Sequence, residues 1–172
     1  MGIIGTEKSM GMEMNMESDK KIKVCFAASS GGHYEQLMKL KPLMDKYSSF
    51  VLTEKTAYDS SCKDEKIYYL RQVNRKEKMF LINMLLNTWN SLVIYIREKP
   101  DVIVSTGVLA TIPMCIIMKI HGKELIYIES FAKVNSATKT GKLIYKIADR
   151  FLVQWETMKN IYPKATYVGG IY

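Results

Sequence analysis

The chain has 172 residues, 48% of them apolar and 24% charged, with a mean hydropathy of -0.07. This suits one globular domain, excludes a multi-span membrane protein, and falls short of the two-domain size usual for sugar or nucleotide transferases. A formal charge of +8 and a pI near 9.3 imply an anionic partner such as nucleic acid, acidic lipid headgroups or a phosphorylated small molecule.

Residues 1–20, MGIIGTEKSMGMEMNMESDK, contain no apolar stretch of signal-peptide type and read as a disordered leader outside the fold, leaving 21–172 as a single domain. KIKVCFAA, from Lys21, reads as a buried strand; HYEQLMKLKPLMDKY follows as one helix with Leu37, Leu40, Leu43 and Met44 on one face. SFVLTE from Ser49 and KIYYL from Lys66 read as strands, and a long helix runs from about Lys78 to Lys99. Then come the strand DVIVST from Asp101, a helix from Leu109 to Ile120, the strand ELIYIES, a helix through GKLIYKIAD, and the short runs FLVQW and ATYVGG. Strands separated by helices of this length pair in parallel through crossovers, which predicts an α/β fold with helices on both sheet faces. Cys25, Cys62 and Cys115 form no C-x-x-C pair, and two of them lie in apolar runs, so they read as reduced thiols with no metal site.

In such a sheet, ligands bind at the carboxyl ends of the strands. Three polar or glycine-bearing tips collect there: SSGGH after the first strand, STG ending at Gly107, and ES at Glu129 and Ser130. Gly31 and Gly32 let backbone approach a ligand, and Ser29 and Ser30 offer hydroxyls to an anion or a sugar. Neither G-x-G-x-x-G nor a P-loop lysine accompanies them, which disfavours ordinary dinucleotide or ATP binding. His33 at the mouth of this turn is a candidate general base, against a plain capping role. Glu129 ends an apolar strand, where a carboxylate needs either a partner, such as Lys133, or a task. Thr106 and Gly107 close the second tip and either contact the ligand or simply shape a turn.

MFLINMLLNTWNSLVIYIREK carries apolar residues over most of its circumference, with Ile82, Leu85, Leu86, Trp89, Leu92, Val93 and Ile96 on one broad face. Asn83, Asn87, Asn90 and Ser91 argue against a bilayer-spanning helix. Arg71, Arg75, Lys76 and Lys78 lead into it, as in an interfacial membrane helix that would seat Phe80, Leu85 and Trp89 in the headgroup region. A helix packed between sheet and partner subunit, or an ordinary core helix, would read similarly.

SSGGHYEQL, STG before an apolar helix containing Pro113, LIYIES, and GKLIYKIADRFLVQWETMKNIYPKATYVGGIY together resemble the membrane-associated, acceptor-side subunits of two-part glycosyltransferases. That family includes the oligosaccharide-biosynthesis subunit of the lipid-linked UDP-N-acetylglucosamine transferase and the bacterial glycosyltransferase enhancers of capsule and exopolysaccharide synthesis. The resemblance runs from Lys21 to the C-terminus and implies a Rossmann-like domain equivalent to the N-terminal half of a GT-B enzyme. It implies no cofactor. Its implied partners are a catalytic subunit supplying the nucleotide-sugar half, a polyprenyl-diphosphate-linked sugar acceptor and an anionic membrane surface, at the cytoplasmic face and peripheral. It places Ser30, Gly31, Gly32 and His33, with Tyr34 beside them, on the acceptor and diphosphate loop, and Glu129 and Ser130 on the strand-end ES; the expected catalytic pair is His33, as the base or its orienter, and Glu129, fixing an acceptor hydroxyl. The relatives' N-terminal membrane anchor has no counterpart in residues 1–20. A noncatalytic membrane adaptor and a stand-alone α/β enzyme remain alternatives; nucleic acid is disfavoured, because the aromatic residues sit in apolar runs rather than among exposed basic ones.

Overall fold

Seven short apolar runs pair side by side in one fully parallel sheet, ordered β3-β2-β1-β4-β5-β6-β7. They are β1 (Lys23–Ala27), β2 (Ser48–Glu54), β3 (Ile67–Leu70), β4 (Val102–Ser105), β5 (Glu124–Ile128), β6 (Arg150–Val153) and β7 (Thr166–Tyr167). The helices are α1 (Gly32–Met38), α2 (Lys41–Met44), α3 (Phe80–Glu98), α4 (Ile112–Ile120) and α5 (Lys139–Ile144). This computed structural model describes residues 21–55, 65–107 and 109–171; the leader and Cys62 lie outside the described residues. The chain winds outward from β1 in one direction and, from β4, in the other, so the strand order reverses between β1 and β4, as in a Rossmann-like sheet.

Alternation along the strands sorts the core onto two faces. Cys25, Ala27, Phe50, Leu52, Ile103, Leu125, Tyr127, Phe151 and Val153 pack under α3, α4 and α5. Val24, Phe26, Val51, Val104 and Ile128 pack with Leu37 and Met44 of α1 and α2. Burial pushes the Cys115 thiol up to about 12 and raises Cys25 well above its usual range, so both stay protonated and act as small apolar fillers.

The single helix expected after β1 is broken into α1 and α2. Pro42 enters at the start of α2, and a proline inside a continuous helix would lack an N–H and strike the carbonyl one turn back. Leu37 and Met44 are buried, whereas Leu43, beyond the break, is exposed. The helix expected from Leu109 begins with a 3-10 turn over Leu109–Thr111 before α4 proper.

The long helix departs most from an ordinary amphipathic element. Its buried positions are Asn87, Ser91, Ile94 and Glu98, while Leu81, Ile82, Leu85, Leu86, Trp89, Val93 and Ile96 face outward. Polar bonds fasten it to the sheet. The Asn87 amide accepts from Arg71 N–H at 2.9 Å and donates to Arg71 C=O at 2.8 Å. Glu98 receives Lys23 and Lys66, each at 2.6 Å, and the Tyr68 hydroxyl. Burial by itself would raise the Glu98 carboxyl, but the bonds from Lys23, Lys66 and Tyr68 outweigh it and hold the group at about 2.

A carboxylate depressed from 4.5 to about 2 stabilises the fold above pH 4.5, and that stabilisation is lost as pH falls toward 2. The stability advantage of the wild type over Glu98→Gln therefore shrinks across this window, and Glu98→Ala costs about 1–3 kcal/mol at neutral pH. Denaturant unfolding at a series of pH values checks both.

Candidate functional site

The loops after β1 and β4 meet where the sheet order reverses, and they are tied by a reciprocal pair of hydrogen bonds. His33 Nδ1–H donates to the Thr106 carbonyl at 2.9 Å, and Thr106 Oγ1 donates to the His33 carbonyl at 3.0 Å. Because a carbonyl only accepts, Nδ1 carries the proton, and the neutral ring then presents Nε2 as an acceptor. Thr106 is fully buried; His33 is half-buried at the rim.

Two glycines are required by this geometry. Gly31 holds φ +74 at the start of α1, and nothing lies within 4 Å of the position a Cβ would take there or at Gly32. The loop backbone is thus open to an approaching ligand, with Ser29 and Ser30 half-buried beside it. Gly107 holds φ +100, and a Cβ there would sit 2.7 Å from the Tyr127 hydroxyl. Tyr127 is stacked on Phe151 at 5.0 Å and fully buried, so it has no room to retreat.

Glu129 is 1% exposed, and its partners are hydroxyls and backbone rather than Lys133. Thr138 Oγ1 donates to it at 3.0 Å, the Tyr162 hydroxyl at 2.7 Å, and Ser130 N–H at 3.0 Å. Thr138 in turn caps α5, accepting from Gly141 N–H at 2.7 Å. Burial and the bond to Glu129 raise the Tyr162 phenol far above its usual range, which keeps it a donor. Next to it, Gln154 Nε2 donates to the Glu129 carbonyl at 2.9 Å and its Oε1 accepts from Ile171 N–H at 3.1 Å, so the C-terminal segment is fastened to the same edge.

The structure therefore brings together Ser29, Ser30, Gly31, Gly32, His33, Thr106 and Gly107, with Glu129 and Ser130 on the next strand tip. It turns Tyr34 elsewhere: the ring is 8% exposed and belongs to the core under α1. Tyr34 follows His33 directly on a helix, so the two project from different sides of the turn. Of the apolar positions expected to face a membrane, Leu85 is 71% and Trp89 65% exposed, whereas Phe80 is half-buried at the start of α3. Among the described residues, no helix is long and apolar enough to cross a membrane.

Sequence reasoning passed over Glu54, which ends β2 in the same way that Glu129 follows β5. The residue is 6% exposed, and its carboxylate accepts Val73 N–H at 3.3 Å. The signal was present in SFVLTE, a buried run closing on a carboxylate.

The model of the family described as "Oligosaccharide biosynthesis protein Alg14 like" matches residues 44–171. The chain belongs to this family. The UDP-N-acetylglucosamine transferase subunit ALG14 of Rattus norvegicus is 26% identical over 181 residues, covering 88% of this chain and 84% of the relative. The human protein of the same name is 25% identical, covering 92% and 87%, and that of Schizosaccharomyces pombe is 39% identical over a shorter 75-residue stretch, 41% of this chain and 36% of the relative. Among solved structures, Acinetobacter baumannii MurG superposes with a TM-score of 0.69 at 16% identity, over 87% of this chain and 45% of that one. UDP-GlcNAc 2-epimerase from Neisseria meningitidis, in complex with UDP-GlcNAc, superposes with a TM-score of 0.67 at 13% identity, over 87% and 47%. The Rossmann-like fold is thus shared with larger proteins, of which this chain spans about half.

Gly107→Ala forces a side chain into a left-handed φ and against an immobile phenol, and is expected to cost about 1–3 kcal/mol. A lowered unfolding midpoint in denaturant measures it; an unchanged midpoint would mean the β4 loop is free to rearrange.

Proposed function

We propose that this chain is the acceptor-side subunit of a two-chain, inverting UDP-sugar glycosyltransferase, acting at the cytoplasmic face of a membrane. The observation that carries this is a contrast in coverage. The chain matches 84% of a relative named as a transferase subunit yet spans only 45% of MurG. A partner chain would supply the half that binds the nucleotide sugar, and the product would belong to a lipid-linked oligosaccharide, a capsule or an exopolysaccharide.

In this reading the loop from Ser29 to Gly32 receives the polyprenyl diphosphate, since its backbone is open and flanked by hydroxyls. His33 Nε2 takes the proton from the acceptor hydroxyl as that oxygen attacks the anomeric carbon and UDP departs, with no covalent enzyme intermediate. Thr106 orients the ring through Nδ1. Glu129 acts through its neighbours: by holding Thr138 and Tyr162 it fixes the segment from Ser130 to the start of α5 beside the acceptor. Gly107 keeps the β4 loop low enough for the acceptor to pass over it.

Attachment to the membrane would use the outer face of α3. Leu81, Leu85, Trp89 and Ile96 are all more than half exposed on a helix about 28 Å long at 1.5 Å per residue. Arg71, Arg75, Lys76 and Lys78, all exposed at the approach to it, would sit against anionic headgroups.

Two measurements test the proposal. Sugar transfer from radiolabelled UDP-sugars to a polyprenyl-diphosphate-linked acceptor is assayed with this chain, its partner, and both. Strong transfer only with both is expected, with His33→Ala lowering turnover about 100-fold or more; near-normal turnover of that variant would favour the noncatalytic adaptor. Co-sedimentation with vesicles containing phosphatidylglycerol should show binding that Leu85→Glu with Trp89→Glu abolishes while the thermal midpoint is kept. Undiminished binding by the double variant would remove α3 from the membrane contact.

A further inference from the structure

The register of the sheet sets two carboxylates symmetrically about the point where strand order reverses. Along β2, β1, β4 and β5, Glu54 closes β2 and Glu129 follows β5, so each lies one strand outward from the β1–β4 cleft. Both belong to the alternating set that faces α3, α4 and α5: Glu54 continues Phe50 and Leu52, and Glu129 continues Leu125 and Tyr127. Leu52 is paired with Ala27, and Ala28 N–H donates to the Leu52 carbonyl at 3.0 Å, which sets Glu54 level with Ser29 of the open loop.

The two differ in what they have left to offer. An ionised carboxylate has about four acceptor sites. Glu129 fills them from within the chain, with Thr138, Tyr162 and Ser130 all donating. Glu54 accepts one long bond, from Val73 N–H to Oε1 at 3.3 Å, and among the described residues its Oε2 has no hydrogen-bond partner. Burying a carboxylate with so little compensation is costly, and burial duly raises the Glu54 carboxyl above its usual range, the Val73 bond opposing it only in part. A costly, incompletely satisfied acceptor beside an open loop is the pattern of a ligand-binding position rather than of a structural one.

We propose that Glu54 recognises the carbohydrate acceptor, its unengaged carboxylate oxygen accepting a hydrogen bond from a sugar hydroxyl held against the Ser29–His33 loop. This rests on the acceptor-side reading given above. The sequence pattern pointed to Glu129 for this task. The hydrogen bonds distribute the work differently: Glu129 builds the wall of the site and Glu54 touches its occupant. Because Oε1 is held by Val73, the carboxylate plane is fixed before the sugar arrives, and ordering costs little on binding.

The test uses the complex of this chain with its partner, phytanyl-diphosphate-linked N-acetylglucosamine as acceptor, and analogues of it each lacking one hydroxyl. Glu54→Gln keeps an oxygen for Val73 N–H and is expected to retain the thermal midpoint. It should raise the acceptor KM about tenfold with little change in kcat or in the donor KM, the difference between a charged and a neutral acceptor. One deoxy analogue should be penalised with the wild type but treated by Glu54→Ala like the parent acceptor, which identifies the hydroxyl. An unchanged acceptor KM in both variants, a donor KM that rises instead, or deoxy penalties that persist in full in Glu54→Ala would each overturn the assignment while leaving the glycosyltransferase reading standing. Absence of transfer by the wild-type complex from every UDP-sugar would overturn that reading, and this inference with it.

Discussion

The reciprocal bonds between His33 and Thr106 close the one place where this sheet is open by construction. In a parallel sheet wound outward from its centre, the crossovers after β1 and β4 leave in opposite directions, so their loops splay and expose the strand ends between them. Here one imidazole and one hydroxyl span that gap at 2.9 and 3.0 Å. The two loops are thereby tied at a fixed separation. The bare backbone at Gly31 and the left-handed turn at Gly107 lie on either side of this clasp. It also fixes which imidazole nitrogen faces outward, so a structural bond sets a chemical property.

The same economy governs α3. A helix normally adheres to a sheet through an apolar stripe and turns polar residues to water. This one adheres through Asn87 and Glu98, whose partners are the Arg71 backbone and the Lys23, Lys66 and Tyr68 side chains. Buried polar pairs of this kind stabilise modestly but are strict about geometry, because any shift leaves a buried group unsatisfied. The helix is thus held at a defined angle, with Ile94 in the core and most of its other apolar residues outside. An exposed apolar band of this extent on a soluble surface marks a contact with lipid or protein.

The class of fold, the order of its elements and the three strand tips were legible in the sequence, because buried parallel strands read as apolar runs and their ends as abrupt polar turns. His33 was legible for the same reason. The break at Pro42 was written in the sequence too, but a strong helical periodicity on both sides concealed it. For α3 the pattern names Leu85 and Trp89 as one face but leaves open whether that face meets lipid, a partner subunit or the core; packing turns it outward. Tyr34 shows the limit in miniature, since adjacency to His33 says nothing about which side of the turn a ring takes.

Glu54 and Glu129 make that limit chemical. In sequence they are the same object, a carboxylate at the end of an apolar strand, and the cost of burying such a group demands an explanation for each. The explanation lies in residues far along the chain: Thr138 and Tyr162 reach back to Glu129 across 9 and 33 positions, and nothing local to ES announces them. Among the described residues, Glu54 receives a single hydrogen bond, a backbone N–H from the loop after β3. Two identical local signals thus resolve into different states of satisfaction. Glu129 is engaged on both oxygens by its own chain, whereas among the described residues Glu54 Oε2 has no hydrogen-bond partner, and that difference is what the proposed contact with a sugar hydroxyl would use.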